Sequence, residues 1–239
     1  VDLWALTKNS DDRAINLTMN TQPLLLASSV GLWREFIKSG IKPPDILAGH
    51  SLGEFSALVC AGAIEFTDAI VLVRNRGQYM QEAVPVSTGS MAAVLGLEDE
   101  KVDSICSEYN QNRSDGLFVN AVNYNSPGQV VIAGHKEAVD GVVELLKEAG
   151  AKRALPLPVS APFHTPLMSS AGERLAVDIE DTNIKSPKID VLSNVNAETQ
   201  SDPALIKSFL VKQISNPVLW TSCIQYIVSR GVAYALELG

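Results

Sequence analysis

The apolar and polar positions of this chain alternate between helix-like and strand-like stretches. Residues 21–39, TQPLLLASSVGLWREFIKS, read as a helix capped by Thr21, with Pro23 early in it and Gly40 at its end. After Pro43 and Pro44, a short apolar run at 45–48 reads as a buried strand. Gly49-His50-Ser51-Leu52-Gly53 interrupts it, residues 54–61 resume as a helix, and Gly62 ends that helix. Thr67 and Asp68 cap a further helix running to about Val84.

Residues 87–160 have their own rhythm. A strand at 91–95 precedes an amphipathic helix at 98–110. Strands at 117–122 and 129–133 flank the turn Asn125-Ser126-Pro127-Gly128, and a helix at 136–149 stops at Gly150. Residues 154–158 form an edge strand, where prolines are tolerated. This β-α-β-β-α-β order is the ferredoxin-like pattern. The pattern predicts a small subdomain, 87–160, inserted into a core made of 1–86 and 161–239. Beyond the insert, residues 165–168 lead into a helix to about Glu180. A strand at 188–192, helices at 203–213 and 218–229, and a terminal strand at 232–238 follow. The fold class is α/β, with a largely parallel sheet carrying helices on its faces.

Composition narrows the picture. With 239 residues, 46% hydrophobic and 19% charged, the chain supports one large domain with a smaller insert. A net charge of −8 with no Lys/Arg run argues against non-specific nucleic-acid binding. Cys60, Cys106 and Cys223 make no metal or disulfide pattern, which fits a reducing compartment. No apolar run approaches the ~18 residues of a membrane helix, and no signal peptide opens the chain. The expectation is a cytoplasmic protein with no metal. The chain starts at Val1 and stops at Gly239 after a strand-like run, so both ends are expected to be cut from something longer.

The segment 49–53 fits the G-x-S-x-G nucleophile elbow in its required context, a strand before and a helix after. Ser51 is held there in strained backbone, and the flanking glycines remove Cβ atoms that would collide. The first helix amides, Leu52 N–H among them, can receive negative charge developing on an attacked carbonyl. A serine needs a base, and the chain has three histidines. His50 adjoins Ser51 and is expected to point elsewhere, and His135 opens a helix of the insert as a surface residue. His164 lies in the proline-hemmed loop that starts at Ser160, and by elimination it is the general base.

The helix 68–84 places Ile70, Val73, Gly77, Met80 and Val84 on one stripe. Arg74 and Arg76 flank it on opposite sides, and either can present its fork to a carboxylate. Periodicity does not choose between them.

Gly49-His50-Ser51-Leu52-Gly53-Glu54, the run 56–62, Arg76-Gly77, the run 125–129 and Pro162-Phe163-His164 together resemble the bacterial malonyl-CoA:acyl carrier protein transacylases, over essentially the whole chain. The resemblance implies an α/β-hydrolase-like core with a ferredoxin-like insert. It implies malonyl transfer from coenzyme A to the phosphopantetheine thiol of acyl carrier protein in fatty acid biosynthesis. The route is ping-pong through a malonyl-Ser51 intermediate with His164 as base, and it uses no cofactor. The resemblance selects Arg76 as the partner of the malonyl carboxylate. It places His50 and Met80 along the acyl pocket and makes Phe163 the malonyl-favouring residue of its loop. Lys152 and Arg153 match a basic spot associated with coenzyme A or carrier docking, and a solvated turn pair is the even alternative. Asn125 would face the cleft, as a contact for coenzyme A or the carrier or as a structural loop residue. The partners expected are acyl carrier protein and a coenzyme A thioester, with no nucleic acid or membrane, and the chain is expected to act as a monomer.

Two departures accompany the resemblance. The family's glutamine-containing strand turn, which supplies part of the oxyanion hole, would precede Val1. The backbone carbonyl that orients the histidine is expected beyond Gly239. Loss of one oxyanion donor costs ~10²–10³ in rate. A serine thioesterase or hydrolase shares the elbow without needing the arginine. An acyltransferase domain of a polyketide or fatty-acid synthase shares both, and a non-catalytic scaffold would bind the carrier without acylating Ser51.

Overall fold

The alternating pattern resolves into a two-stranded parallel sheet and a four-stranded antiparallel sheet in a mixed α/β fold. The computed structural model describes residues 2–8, 12–159 and 161–239, so Val1, residues 9–11 and Ser160 lie outside the described residues. The elements are α1 (Leu3–Lys8), α2 (Asp12–Ile15), α3 (Thr18–Lys38), β1 (Ile46–Leu47), α4 (Leu52–Cys60) and α5 (Phe66–Glu82). Next come β2 (Gly89–Leu95), α6 (Asp99–Gln111), β3 (Val119–Ser126), β4 (Gln129–His135), α7 (Lys136–Glu148) and β5 (Arg153–Pro156). A 3-10 turn, Pro166–Met168, leads into α8 (Ser169–Asp181), followed by β6 (Asp190–Val191), α9 (Pro203–Gln213) and α10 (Trp220–Ser229).

Strands β1 and β6 pair in parallel, with Ile46 opposite Asp190 and Leu47 opposite Val191. The large core gathers Leu26 and Val30 of α3, Phe55 and Leu58 of α4, Leu72 and Val73 of α5, Leu175 of α8 and Leu210 of α9. Helices α3 and α5 approach closely because Gly77 lacks a side chain; a Cβ there would lie 2.5 Å from the Thr18 carbonyl oxygen.

The second sheet has strand order β3-β4-β2-β5, antiparallel throughout. Strand periodicity divides its faces. Ala92, Val94, Val130 and Ile132 pack with α6 and α7, whereas Met91, Val131 and Ala133 face the other way and meet Phe163. The two lobes are tied by main-chain bonds: Tyr124 N–H donates to Val218 O at 3.1 Å, and Val218 N–H donates to Val122 O at 2.8 Å.

Several expectations change. Thr21 does not cap its helix: α3 begins at Thr18, and the Thr21 hydroxyl donates back to Ile15 O and Leu17 O. Pro23 therefore sits inside the second turn, where it removes one helical hydrogen bond. The hairpin turn is only Pro127-Gly128, because β3 continues through Ser126. The expected terminal strand is absent. Residues 232–239 have no ladder partner among the described residues, and Tyr234 is 93% exposed. Alternating apolar residues make a strand only where a neighbour supplies the ladder.

Candidate active site

Ser51 sits at the N-terminus of α4 with φ 51° and ψ −105°, a conformation that costs a non-glycine residue roughly 1–3 kcal/mol. Surrounding bonds hold it there. Its N–H donates to Asn194 Oδ1 at 2.6 Å, and its carbonyl accepts from Gln213 Nε2 at 3.0 Å. The two elbow glycines differ in their reason for being glycine. A Cβ on Gly49 would lie 1.9 Å from the Gly53 carbonyl carbon, whereas one on Gly53 would meet nothing within 4 Å. The tight turn thus demands a bare residue only at position 49.

His164 is 4% exposed and comes in from the loop that follows the insert. Its Nε2 lies 2.9 Å from Ser51 Oγ, and its Nδ1 lies 2.8 Å from the Gln213 carbonyl oxygen. A carbonyl can only accept, so Nδ1 carries the proton and Nε2 presents its lone pair to the Ser51 hydroxyl. The orienting carbonyl expected beyond Gly239 is therefore supplied here by Gln213, at the last position of α9. Burial first, and the Arg76 charge next, push the imidazole pKa down to about 3. His164 is consequently a neutral acceptor at working pH.

Arg76, one of the pair that periodicity left open, turns inward and is 2% exposed, whereas Arg74 is exposed. Its Nη1 donates to Gln22 Oε1 at 2.8 Å, and its Nη2 donates to Ser51 Oγ and Gln213 Oε1, both at 2.9 Å. Among the described residues its Nε has no acceptor. Burial lowers its pKa to about 10, so it remains charged. Gln22 also donates toward Met80 Sδ at 4.0 Å, which places buried Met80 one helical turn from Arg76 against the same glutamine.

Glu54, one turn into α4, is 3% exposed; its Oε2 accepts from Asn194 N–H at 3.0 Å and from Gln213 Nε2 at 2.7 Å. Burial raises its pKa to about 7 against those hydrogen bonds. Leu52 N–H is the first amide of α4, where helical N–H groups have no intrahelical acceptor.

The remaining residues surround this group. His50 points across the cleft, with Nε2 2.9 Å from Asn125 Oδ1 and its ring at edge distance from Trp220. Phe163 is half-buried between the two lobes. Arg153 opens β5 and Lys152 precedes it, and both are exposed. His135 is half-buried rather than a surface residue: its Nδ1 accepts from Phe118 N–H at 3.1 Å. No group of three metal-ligating side chains occurs among the described residues. Gln22, Asn194 and Gln213 were not anticipated from the sequence.

A serine held by a neutral imidazole beside a buried arginine can be acylated and can bind an acyl carboxylate. The family model for the acyl transferase domain matches residues 3–238. The chain belongs to that family. It is 50% identical over 238 residues to the malonyl CoA-acyl carrier protein transacylase of Salmonella typhimurium and 43% identical over 237 residues to that of Bacillus subtilis. These alignments span 100% and 99% of this chain and 76% and 74% of the relatives. The acyl carrier protein S-malonyltransferase of Vibrio cholerae superposes with a TM-score of 0.95 at 49% identity, over 100% of this chain and 76% of that one. A malonyl-transacylase solved in complex with a type II PKS acyl-carrier protein gives 0.96 at 48% identity, with the same coverage. Within the family the chain falls among the malonyl CoA-acyl carrier protein transacylases, and it is an acyltransferase.

Proposed function

We propose that this chain moves malonyl from malonyl-CoA to the phosphopantetheine thiol of acyl carrier protein through malonyl-Ser51, in fatty acid biosynthesis. The observation that carries the reading is the buried Arg76 guanidinium at 2.9 Å from a serine whose hydroxyl also meets His164. A water-using hydrolase has no need of a buried fork beside its nucleophile.

The steps follow from the hydrogen bonds. His164 Nε2 takes the Ser51 proton as Oγ bonds to the thioester carbonyl carbon, and Leu52 N–H receives the developing oxyanion. Collapse breaks the C–S bond, and the departing sulfur takes the proton from His164. The carrier thiol then gives its proton to His164 and attacks the ester, and Ser51 recovers the proton as the C–O bond breaks. His164 donates Nδ1–H to Gln213 O throughout, so the ring keeps one orientation. The chemistry needs no resident cofactor. Arg76 exchanges its bond to Ser51 for the malonyl carboxylate, with His50, Met80 and Phe163 bounding the acyl group.

The core, 1–86 and 161–239, is read as α/β-hydrolase-like. The insert, 87–160, is read as ferredoxin-like, supported by its strand order β5-β2-β4-β3. Three unpaired cysteines fit a cytoplasmic setting.

Intact-mass measurement after mixing with malonyl-CoA tests the function. A malonyl adduct is expected in the parent protein and is absent in Ser51→Ala; equal adduct in both would overturn the role of Ser51. Lys152 and Arg153 are read as carrier contacts. The double change Lys152→Glu with Arg153→Glu should raise KM for acyl carrier protein roughly tenfold, with less effect at high salt, while malonyl-CoA loading continues. An unchanged carrier KM would make them a solvated pair.

A further inference from the structure

Glu54 closes the serine motif, yet no step above uses it. A carboxylate is costly to bury unless other groups compensate it. Here one oxygen, Oε2, accepts both Asn194 N–H and Gln213 Nε2. Each of these two residues grips the elbow. Asn194 Oδ1 takes Ser51 N–H, and Asn194 Nδ2 donates to Gly49 O at 2.9 Å. Gln213 Nε2 also donates to Ser51 O, its Oε1 accepts from Arg76, and its main-chain oxygen orients His164. The strained nucleophile, its base and the arginine are thus all anchored through residues that converge on one oxygen atom. The same carboxylate faces Arg76 across a single glutamine side chain.

We propose that Glu54 is a positioning residue with two separable effects: its Oε2 anchors the elbow, and its charge opposes that of Arg76, setting how tightly Arg76 holds an acyl carboxylate. The proposal rests on the malonyl-transfer reading. Two buried opposite charges reduce the field each projects outward, so a third charge arriving at Arg76 meets an already partly compensated guanidinium. An acyl group without a carboxylate does not sense this difference.

Glu54→Gln separates the effects. The Asn194 and Gln213 bonds converge on one oxygen, which the amide carbonyl of glutamine can replace while the charge is lost; the Ser193 hydroxyl, which also meets Glu54, can accept as well as donate. At pH 8 the half-saturating malonyl-CoA concentration for Ser51 adduct formation should fall on the order of tenfold. The value for acetyl-CoA should not follow, so the malonyl-to-acetyl ratio of kcat/KM rises. Glu173→Gln, the same charge change on the exposed side of α8, should leave that ratio at the parent value. Glu54→Leu removes the anchor as well, and adduct formation from both thioesters should fall by about 10²-fold as the elbow loses its hold. Proportional changes for malonyl and acetyl in Glu54→Gln, or a weaker malonyl interaction, would overturn the charge effect. Parent rates in a folded Glu54→Leu would overturn the anchor. If circular dichroism shows that Glu54→Leu does not fold, Glu54→Gln decides alone. Failure of the parent protein to form any malonyl adduct would instead undo the reading beneath.

Discussion

Arg76→Ala should lower kcat/KM for malonyl-CoA by roughly 10²–10³-fold, the range expected when one member of a buried charge interaction of about 3–4 kcal/mol is removed. The same change removes the donor that Nη2 extends to Ser51 Oγ and empties the volume beside Met80. Acetyl-CoA has no carboxylate to lose, so its transfer should fall less or rise, and the malonyl-to-acetyl ratio should collapse. Gln22 and Gln213 each lose a donor to their side-chain oxygen, costing about 1–3 kcal/mol of stability for each group left unpaired. Adduct formation from both thioesters should therefore be measured at a temperature where circular dichroism shows the variant folded. An unchanged ratio would remove Arg76 from substrate selection.

His164→Ala should slow Ser51 acylation by about 10²–10⁴-fold, the usual contribution of a positioned general base. In the parent protein the pH dependence carries a second, sharper expectation. An ordinary histidine would lose half its basic form at pH 6.5, but this imidazole is held down to about 3. Its share of the acylation rate should persist as pH falls from 8 to 5. Pre-steady-state adduct formation across that range in Glu54→Gln, where no carboxylate titrates at position 54, isolates it. A midpoint near 6.5 would show an imidazole in contact with solvent.

The sequence carried the helices and the elbow more clearly than the bonds that make the elbow work. Residues 203–213 have proline at their start and an apolar stripe, and α9 spans Pro203–Gln213. The strand-like run at 232–238 has equal alternation but no ladder neighbour, because pairing is a tertiary event that no local pattern contains. Ser51 and His164 stand 113 residues apart, and their meeting depends on an intervening lobe folding back. Two missed residues did leave a trace. Gln22 shares a buried stripe with Leu26 and Val30, and Gln213 shares one with Ile206 and Leu210. A glutamine where helical spacing calls for an apolar side chain signals a buried polar partner. Asn194 left no such trace, since it lies in irregular chain after β6. Its role exists only because that segment passes beneath Gly49.

The burial of Glu54 and His164 in one place also governs how folding exchanges protons with solvent. Folding raises Glu54 from 4.5 to about 7 and lowers His164 from 6.5 to about 3. Between those two unfolded values the folded chain holds one extra proton at Glu54 and lacks one at His164. A raised carboxylate makes stability fall as pH increases through the window, and a depressed imidazole makes it rise. Each slope is about 1.4 kcal/mol per pH unit, and their signs are opposite. Below 4.5 only His164 remains unbalanced, so stability declines with acid until its folded value is reached. Above 6.5 only Glu54 remains, and stability declines with base up to about 7. Across mildly acidic pH these two groups cancel, and the slope that remains is left to others such as His50, whose imidazole burial also holds below its ordinary value so that stability rises with pH there.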